Sequence, residues 1–304
     1  MTTANLNVVT GSFGFTGAAI ASHLLSLGRR VRTLTGHPDR LDRLGGKAEV
    51  APLSFQDPDR LRESLIGATT LYNTYWVRFP RDSVTYERAV ENSRALIAAA
   101  EEAGVQRIVH ISISNASSGS ALPYFKGKGL VEEAILSSTL RYVILRPTVV
   151  FGAEDILLNN IAWFLRRFPI FGLPGDGSYA LQPVSVDDLA DLAVRLGQRD
   201  ENSIVDAAGP ETYTFEEMVQ LIAAAVQSKA RIIHVHPDLA LLFTRLTSYF
   251  VRDVVLTEDE IAGLMAGLLV SDNPATGRTS FRQWLAGNAS TLGREYRSEL
   301  ARHY

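Results

Sequence analysis

The sequence predicts an α/β protein in which a doubly wound parallel sheet carries a small, mainly helical C-terminal cap. Up to about Val150, short runs rich in β-branched residues alternate with longer segments that carry apolar residues at helical spacing. The strand runs are apolar on both faces, as is typical of a parallel sheet covered by helices. After Phe151-Gly152 an aromatic segment interrupted by prolines and glycines indicates the start of the cap.

Turn residues around each apolar run place the individual elements. The predicted strands, in order, are residues 6–10, 31–35, 48–53, 70–74, 107–112 and 142–145. The predicted crossover helices are residues 18–27, 58–66, 83–103 and 127–137. A further strand at residues 182–186 enters a helix whose first turn holds Asp187 and Asp188, where carboxylates are favourable.

The composition excludes several kinds of protein. The 304 residues are 46% hydrophobic and 21% charged, as in an ordinary globular protein, and a net charge of -3 without a long basic block argues against nucleic acid as a partner. The absence of cysteine excludes disulfides, thiolate metal sites and a cysteine nucleophile, and agrees with a cytoplasmic location. Residues 1–7 are too polar for a signal peptide, and the most apolar stretches, 239–243 and 261–270, are shorter than the roughly 20 residues of a membrane span.

The first predicted strand ends in a glycine-rich turn that runs straight into a helix. Gly11 permits the tight turn, Gly14 lets the backbone approach a pyrophosphate, and Gly17 allows the helix to pack closely on the strand. The first amides of the helix have no intrahelical acceptor and can bind that pyrophosphate. This context predicts a Rossmann site for a dinucleotide within a binding domain of residues 1–152. The predicted cofactor contacts in the turn are Thr10, Gly11, Ser12, Phe13, Gly14, Phe15 and Gly17.

The residues around the end of the second strand bear on the choice of nucleotide. An NAD-binding protein usually has a carboxylate at this strand end, where the chain has Thr35 and then Gly36. Arg32, His37 and Arg40 could instead meet the 2′-phosphate of NADP(H), although the two arginines also fit an interpretation as solvent-exposed charges. We therefore expect NADP(H) in preference to NAD(H), with contacts from Thr35, His37 and Arg40.

A tyrosine and a lysine lie four residues apart after the fifth strand. On a helix this spacing puts Tyr124 and Lys128 on one face, where the ammonium can lower the pKa of the phenol and hold the nicotinamide ribose. A phenol tuned in this way can exchange a proton with a substrate oxygen during hydride transfer. Ser112 and Ser114 lie near the same strand end, and either could polarise a substrate carbonyl or only cap the strand.

Two further strand ends are predicted to reach the cofactor. Asn73 and Thr74 lie at the end of the fourth strand, on the edge of the sheet where such folds bind ligands. After the sixth strand, the rigid Pro147 could present backbone amides to the carboxamide of the nicotinamide ring. The predicted cofactor contacts at these ends are Asn73, Thr74, Lys128, Pro147, Thr148 and Val149.

Aromatic side chains follow the fourth strand. Tyr75, Trp76 and Phe79 either form one wall of a substrate pocket, with Arg78 available for an anionic group, or pack under the cap. The cap is predicted within residues 153–304, a mixed segment that also completes the sheet. We expect a small-molecule substrate between the strand ends and the cap, with contacts from Trp76, Arg78, Phe151 and Trp163.

No metal site is expected. The six histidines form no HExxH or other close set with carboxylates, and His234 and His236, which share a face of a predicted strand, have no visible third ligand. These two histidines are interpreted as structural residues. The chain also has no GxSxG motif, which argues against the most recognisable kind of serine hydrolase.

Together the motifs resemble those of a known superfamily. TGSFGFTG, the pair Tyr124 and Lys128, RPTVVFG and PVSVDDLA are similar to motifs of the extended and atypical short-chain dehydrogenases/reductases. By pattern, including GPETYTF and LTEDEI in the later part, the chain resembles the branch that contains the NADPH-binding accessory subunit of respiratory complex I and the nitrogen-metabolite-repressor type of redox sensor. The resemblance covers nearly the whole chain.

The resemblance implies a single nicotinamide cofactor at the carboxyl edge of the sheet, with Tyr124 as the acid/base and Lys128 as the ribose-binding residue. Extended enzymes often carry a double serine where this chain has Ser112-Ile113, so the serine role stays open between Ser112 and Ser114. Relatives that prefer NADP often have an arginine where Gly36 stands. Several atypical members bind the cofactor without turning over a substrate.

The sequence thus predicts an NADP-preferring oxidoreductase, or an epimerase or dehydratase that uses a transient hydride transfer, with Tyr124 as the proton donor. The alternative from a different class is a non-catalytic NADP(H)-binding sensor or assembly protein. A flavin or quinone reductase is a third hypothesis. The resemblance also suggests a homodimer formed through the helices predicted at 83–103 and 127–137, although a monomer contradicts nothing in the sequence.

Overall fold

The structure, a computed structural model, describes residues 5–37, 44–236, 238–239, 253 and 257–300. They belong to two units, and segments of the two units alternate along the chain. The first unit takes its residues from Met1–Pro147 and Val186–Ala207, and the second from Thr148–Ser185 and Ala208–Tyr304. The first unit is therefore assembled from two separate stretches of sequence.

The first unit is built on a parallel sheet. Its strands are β1 (Leu6–Thr10), β2 (Arg30–Thr35), β3 (Glu49–Pro52), β4 (Ala68–Asn73), β5 (Arg107–Ile111), β6 (Arg141–Pro147) and β11 (Ser203–Ala207). They are arranged in the order β11-β6-β5-β4-β1-β2-β3, and every neighbouring pair is parallel. The order reverses between β1 and β4, which is the doubly wound pattern and the point where such sheets bind ligands.

The helices of the first unit form two groups. They are α1 (Phe15–Ser26), α2 (Pro58–Leu65), α3 (Tyr86–Glu102), α4 (Pro123–Leu136) and α6 (Val186–Gly197). α1 packs on α6, whereas α3 packs between α2 and α4. Val8 lies in the buried cluster formed with α2, α3 and α4, while the next residue, Val9, is equally buried and points to the opposite face. The sheet is thus covered on both faces, and each such side chain contributes roughly 1.5–3 kcal/mol by burial.

The predicted strands and helices of this unit are confirmed, with small shifts at their ends. α4 begins at Pro123, ahead of the predicted residue 127, because proline suits the first turn of a helix. The expectation that all six strands are apolar on both faces is wrong for β3, an edge strand on which Glu49 and Val50 are exposed. β11 is not among the predicted elements, since its half-exposed residues do not form a continuous apolar run.

The second unit combines helices with short two-stranded sheets in its described residues. Its helices are α5 (Ile156–Arg167), α7 (Phe215–Ala225), α8 (Glu258–Met265) and α9 (Phe281–Asn288). Its strands are β7 (Val149–Phe151), β8 (Ile170–Pro174), β9 (Ala180–Leu181), β10 (Pro183–Ser185), β12 (Tyr213–Thr214) and β13 (Arg231–Val235). β7 pairs with β10 and β8 with β13 in parallel, whereas β9 and β12 are antiparallel. The predicted strand at 182–186 and its helix are confirmed as β10 and α6, with Asp187 and Asp188 in the first turn.

Candidate functional site

The glycine-rich turn after β1 has the geometry that close approach to an anion requires. Gly11 has a φ of 66°, which glycine adopts without strain, and its N–H donates to the carbonyl of Leu34 at 2.9 Å. Gly14 N–H donates to the Gly11 carbonyl at 2.8 Å. A Cβ on Gly17 would lie 2.4 Å from the same carbonyl oxygen, so only glycine lets α1 pack this closely on the turn. The backbone of the turn is therefore fixed by its own hydrogen bonds.

The N-terminus of α1 differs from most other helix starts. The helices α2, α3, α5, α7, α8 and α9 follow an Asp, Thr or Ser whose side chain accepts a hydrogen bond from a first-turn amide. α1 follows Gly14, has no acidic residue in its first turn and receives no side-chain cap from the described residues. Its first amides stand at the positive end of the helix dipole, which suits a pyrophosphate. The residues present therefore fit the predicted dinucleotide.

Polar side chains join the carboxyl ends of β1, β4 and β5. The Thr10 hydroxyl accepts from the Thr74 N–H at 2.7 Å and donates to Asn73 Oδ1 at 3.3 Å. Asn73 Nδ2 lies 3.1 Å from Nδ1 of His110. His110 is fully buried, and its loss of solvation holds the pKa of the imidazole well below the usual value. Asn73 and Thr74 thus fix the strand ends at which the nucleotide is predicted to lie.

The turn after β2 is described as far as His37. The Thr35 hydroxyl accepts from the His37 N–H at 3.0 Å, which holds the turn after the strand. A Cβ on Gly36 would meet no atom of the described residues within 4 Å. Arg40, the third predicted contact here, lies outside the described residues.

Arg32, for which the sequence left a contact with the 2′-phosphate open, has several partners within the protein. Its guanidinium donates to the Glu49 carboxylate at 2.9 and 3.0 Å. It also donates to the carbonyls of Ser64 and Ile66, both at 3.0 Å. These partners hold Arg32 in the contact between β2, β3 and the end of α2.

Lys128 lies on α4 beside the end of β5. It is only 3% exposed, and its ammonium donates to the carbonyl of Ile111, the last residue of β5, at 2.9 Å. Burial lowers the pKa of Lys128 to about 7, so the ammonium and the free amine are both populated near neutral pH. Tyr124 lies one turn earlier on the same helix and is half-buried.

Trp76 covers this pair of residues. Its ring centroid lies 4.7 Å from Nζ of Lys128 and 6.0 Å from the ring of Tyr124, which meets it edge-on. On its other side the indole stacks on Tyr86 at 6.2 Å. Gly127 makes the room, since a Cβ there would lie 2.8 Å from the indole. Trp76 thus packs on α4, and its buried Nε1 has no hydrogen-bond partner among the described residues.

Ser112 and Ser114 are both buried, and the structure shows what holds each of them. The Ser112 hydroxyl donates to Glu132, whose carboxylate also accepts two hydrogen bonds from Arg146 at 3.0 and 2.5 Å. This buried network joins β5, α4 and β6. The hydroxyl proton of Ser112 is used in this contact. The N–H of Ser114 donates to the carbonyl of Pro147 at 2.8 Å. The choice of a carbonyl-polarising serine stays a prediction.

The remaining cofactor residues lie where the chain leaves β6 for the second unit. Thr148 is 3% exposed, and its hydroxyl donates to the carbonyl of Gln182. Val149 is the buried first residue of β7. Pro147 uses its carbonyl for Ser114. Contacts of these residues with a nicotinamide ring would therefore have to come from the backbone, as the sequence suggests for this proline-led segment.

The four predicted substrate residues belong to different units. Trp76 and Arg78 follow β4 in the first unit, whereas Phe151 and Trp163 lie in the second. Phe151 is fully buried in the core of its unit, so the structure gives its side chain a packing role. Trp163 lies beneath the guanidinium of Arg167, which is 4.6 Å from the ring centroid.

The other aromatic residues after β4 also have packing partners. The Tyr75 hydroxyl accepts a hydrogen bond from Asn92 at 2.8 Å, and its ring lies 4.7 Å from that of Phe55. Phe79 is 3% exposed. Within the first unit, the contacts of Tyr75 and Phe79 thus agree with the packing interpretation of this segment.

His234 of β13 and His236, which follows the strand, each pair with a carboxylate. His234 lies 3.2 Å from Glu216, and His236 lies 3.3 Å from Asp238. No group of three or more His, Asp or Glu residues in the described parts of the chain is placed to hold a metal ion. Within those parts, no helix is both long and apolar enough to span a bilayer. The cytoplasmic location and the homodimer stay predictions.

Sequence reasoning missed three features of this site. Glu132 was noted only as following the pair of Tyr124 and Lys128, and its contacts with Ser112 and Arg146 were not predicted. His110 sits in an apolar strand and gives no local signal. Trp76, in the loop after β4, contacts Lys128 on α4. The two residues are far apart in sequence, so no spacing rule predicts this contact.

Comparison with known proteins adds to this geometry. Residues 11–155 match a family model described as NAD(P)H-binding. The chain is 25% identical to the mitochondrial NADH dehydrogenase [ubiquinone] 1 alpha subcomplex subunit 9 of Arabidopsis thaliana over 284 residues, which are 87% of this chain and 71% of that protein. The mouse protein of the same name is 29% identical over 70% of this chain, and the match spans 59% of its length. The photosystem II assembly factor Ycf39 of Guillardia theta is 25% identical over 80% of this chain and 77% of its own.

A solved structure extends the likeness to the whole fold. The NADPH-dependent quinone oxidoreductase of Escherichia coli, complexed with NADPH, has a TM-score of 0.75 at 19% identity and covers 94% of this chain and 99% of its own. The open amides of α1, the three glycines before it and the matched family agree with one another. Residues 11–155 therefore resemble an NAD(P)H-binding domain, and the chain has a Rossmann-type α/β fold.

Proposed function

We propose that this protein is an NADP(H)-dependent reductase of a small carbonyl substrate, with Tyr124 as the proton donor. The observation that carries the nucleotide part is the start of α1, whose amides lack a side-chain cap and lie behind a turn that admits no Cβ at Gly17. The chemistry is supported by Lys128, which lies buried one turn after Tyr124 at the end of β5. NADPH, when bound, supplies the hydride.

Residues of the first unit would bind the nucleotide and transfer the proton. The amides of residues 11–17 would hold the pyrophosphate, and the open space beside Gly36 would admit a 2′-phosphate. The O–H bond of Tyr124 breaks as its proton passes to the substrate oxygen, and the charge left on the phenolate is stabilised by the ammonium of Lys128. Because the pKa of Lys128 is about 7, we expect reduction to slow as the pH rises through that value.

The nucleotide is tested by a fluorescence titration of the purified protein with NADPH and with NADH. NADPH is expected to bind more tightly, because no carboxylate stands at the described end of β2 to repel a 2′-phosphate. Equal affinities would refute the preference. Binding of neither would refute the proposal as a whole.

The proton donor is tested by Tyr124→Phe, with p-benzoquinone and diacetyl as probe substrates and NADPH oxidation as the readout. Loss of the donor is expected to reduce turnover by about 100-fold while NADPH affinity is unchanged. Tyr86→Phe is the matched control, since Tyr86 belongs to the same aromatic cluster but its hydroxyl donates to the carbonyl of Arg78. Equal turnover in Tyr124→Phe and the wild type would remove Tyr124 from the mechanism.

The position of Trp76 favours a second candidate, an NADP(H)-binding assembly or sensor protein whose partner is another protein. The indole packs on both Lys128 and Tyr124, and the curated relatives include a subunit of NADH dehydrogenase and an assembly factor. This candidate predicts NADPH binding without oxidation by either probe, in the wild type and in Trp76→Ala alike. Turnover that depends on Tyr124 would exclude it.

A further inference from the structure

A polar cavity lies in the first unit at the edge of the sheet opposite the glycine-rich turn. Its volume is about 300 Å³, and it forms where β1, β4, β5 and β6 begin and where α1 and α6 end. Its charged lining consists of Arg29, Arg107, Arg141, Arg199 and Asp200. None of these residues takes part in the nucleotide site described above.

The charges around this cavity are unbalanced. Asp200 is the one carboxylate among the lining residues, and it pairs with Arg141 at 2.5 Å. Arg29 and Arg199 are exposed and form no ion pair with any residue that the structure describes. The cavity therefore has a surplus of positive charge at its rim.

Arg107 adds a buried donor to this rim. The residue is only 4% exposed, and its Nη1 donates to the carbonyl of Glu201 at 3.0 Å. Its Nη2 is buried and has no hydrogen-bond partner in the described part of the chain. Burial and the neighbouring charge of Arg141 both lower the pKa of Arg107. A buried guanidinium with an unused donor is destabilising unless an acceptor enters the cavity beside it.

A purely structural explanation accounts for part of this arrangement. Arg29 and Arg199 follow the C-terminal ends of α1 and α6, where a cation stabilises the helix dipole without any ligand. That explanation does not extend to Arg107, which is the first residue of a central strand and is buried. The buried donor, the cavity beside it and the excess charge together point to an anionic ligand.

We propose that this cavity binds a small hydroxylated phosphate monoester. Guanidinium groups match the oxygens of a phosphate dianion in geometry and charge. The neutral part of the lining, which includes Asn5, Thr70, Gln106 and Gln198, offers hydrogen-bonding groups to hydroxyls. The volume lies at the lower end of the range for small-molecule pockets, so the ligand is compact.

The proposal is tested by calorimetric titration of the full chain with α-glycerophosphate, inorganic phosphate and glycerol. We expect α-glycerophosphate to bind most tightly, inorganic phosphate more weakly, and glycerol not at all. The double variant Arg29→Gln/Arg199→Gln is expected to lose affinity for α-glycerophosphate by about tenfold or more. The matched control is Arg195→Gln, which removes an exposed arginine of α6 that lies outside the cavity and should leave the affinity unchanged.

Three results would overturn the proposal. The first is that the wild type binds neither phosphate compound at millimolar concentration. The second is that Arg195→Gln weakens binding as much as the double variant does, which would indicate diffuse electrostatic attraction. The third is full affinity in the double variant, which would place the phosphate elsewhere, for example on the amides of α1. None of these outcomes depends on whether the protein turns over NADPH.

A second variant tests the buried donor directly. Arg107→Lys keeps the charge but loses the planar fork, and we expect α-glycerophosphate affinity to fall while the thermal transition seen by circular dichroism stays cooperative. Unchanged affinity in a folded Arg107→Lys protein would mean that Arg107 is not a ligand, and the proposal would fail.

Discussion

The two edges of the central sheet are suited to anions by different chemistry. At the carboxyl edge the donors are backbone amides at the start of α1, arranged by three glycines. At the amino edge they are the side chains of Arg29, Arg107, Arg141 and Arg199. Helix dipoles explain the difference, because helix N-termini attract anions at the first edge, whereas the C-termini of α1 and α6 repel them at the second. Only cationic side chains can overcome that repulsion.

Each edge also buries a cation, and the two cations respond differently to pH. Lys128 at the carboxyl edge has a pKa of about 7 in the folded chain, against an ordinary value of 10.5. Arg107 at the amino edge keeps its proton throughout this range, since a guanidinium is not deprotonated in proteins. The comparison therefore predicts that the contribution of Lys128 to the free energy of unfolding depends on pH, whereas that of Arg107 does not.

The largest expected effect comes from Lys128→Met. Between pH 7 and 10.5 the unfolded lysine holds a proton that the folded one has released, so wild-type stability rises with pH in this window and is lost again as the pH falls through it. We expect the wild type to gain on the order of 4 kcal/mol relative to Lys128→Met across the window. Urea unfolding at a series of pH values measures this difference.

Arg107→Met is the control for that series. Its difference from the wild type is expected to stay constant with pH, because arginine does not titrate there. A flat difference for Lys128→Met as well would show that Lys128 keeps its proton in the folded chain.

A smaller effect is expected from removing the arginine of each edge. Arg146→Met leaves the buried carboxylate of Glu132 without its cation and should lower the free energy of unfolding by about 3 kcal/mol. Arg107→Met removes a buried donor that has no partner among the described residues, so the loss should stay within about 1 kcal/mol. Urea unfolding at neutral pH compares the two variants. Equal losses would mean that Arg107 is as well satisfied as Arg146.

Gly17→Ala is expected to lower the free energy of unfolding less than Arg146→Met does. Its Cβ would lie 2.4 Å from the Gly11 carbonyl, so α1 must shift, at a cost of about 2 kcal/mol. NADPH affinity should fall sharply, whereas α-glycerophosphate should still bind at the other edge. Gly287→Ala is the control, since a Cβ there meets no atom of the described residues within 4 Å and both affinities should be kept. Unchanged NADPH affinity in Gly17→Ala would mean that the turn is not where the nucleotide binds.

The same contrast explains how much the sequence could predict. The carboxyl edge was predictable because its glycines lie within one short segment and their spacing has a known geometric meaning. The cavity at the amino edge draws its arginines from the ends of α1 and α6 and the starts of β5 and β6, so no local pattern joins them. The role of Arg32 stayed open for the same reason, since its partner Glu49 comes from a strand whose register the sequence does not reveal.

The strands of the first unit were predictable because parallel sheets bury both faces and produce continuous apolar runs. β3 and β11 depart from that rule because they are the two edge strands of the sheet. β3 is partly exposed, and β11 was not predicted. In the second unit, the two-residue strands β9 and β12 are too short for any periodicity to show.

The two-part origin of the first unit has a consequence for how the protein is made. β6 pairs on one side with β11, through contacts such as Val143 with Ser203, yet the ribosome must add the whole stretch from Thr148 to Ser185 before β11 exists. Until then a growing chain holds an open strand edge and an α1 that lacks α6. A fragment ending at residue 155, where the matched family segment stops, would keep that edge open permanently. Such a fragment should be prone to self-association through the open edge of β6. A chaperone that covers β6 would protect this protein during synthesis.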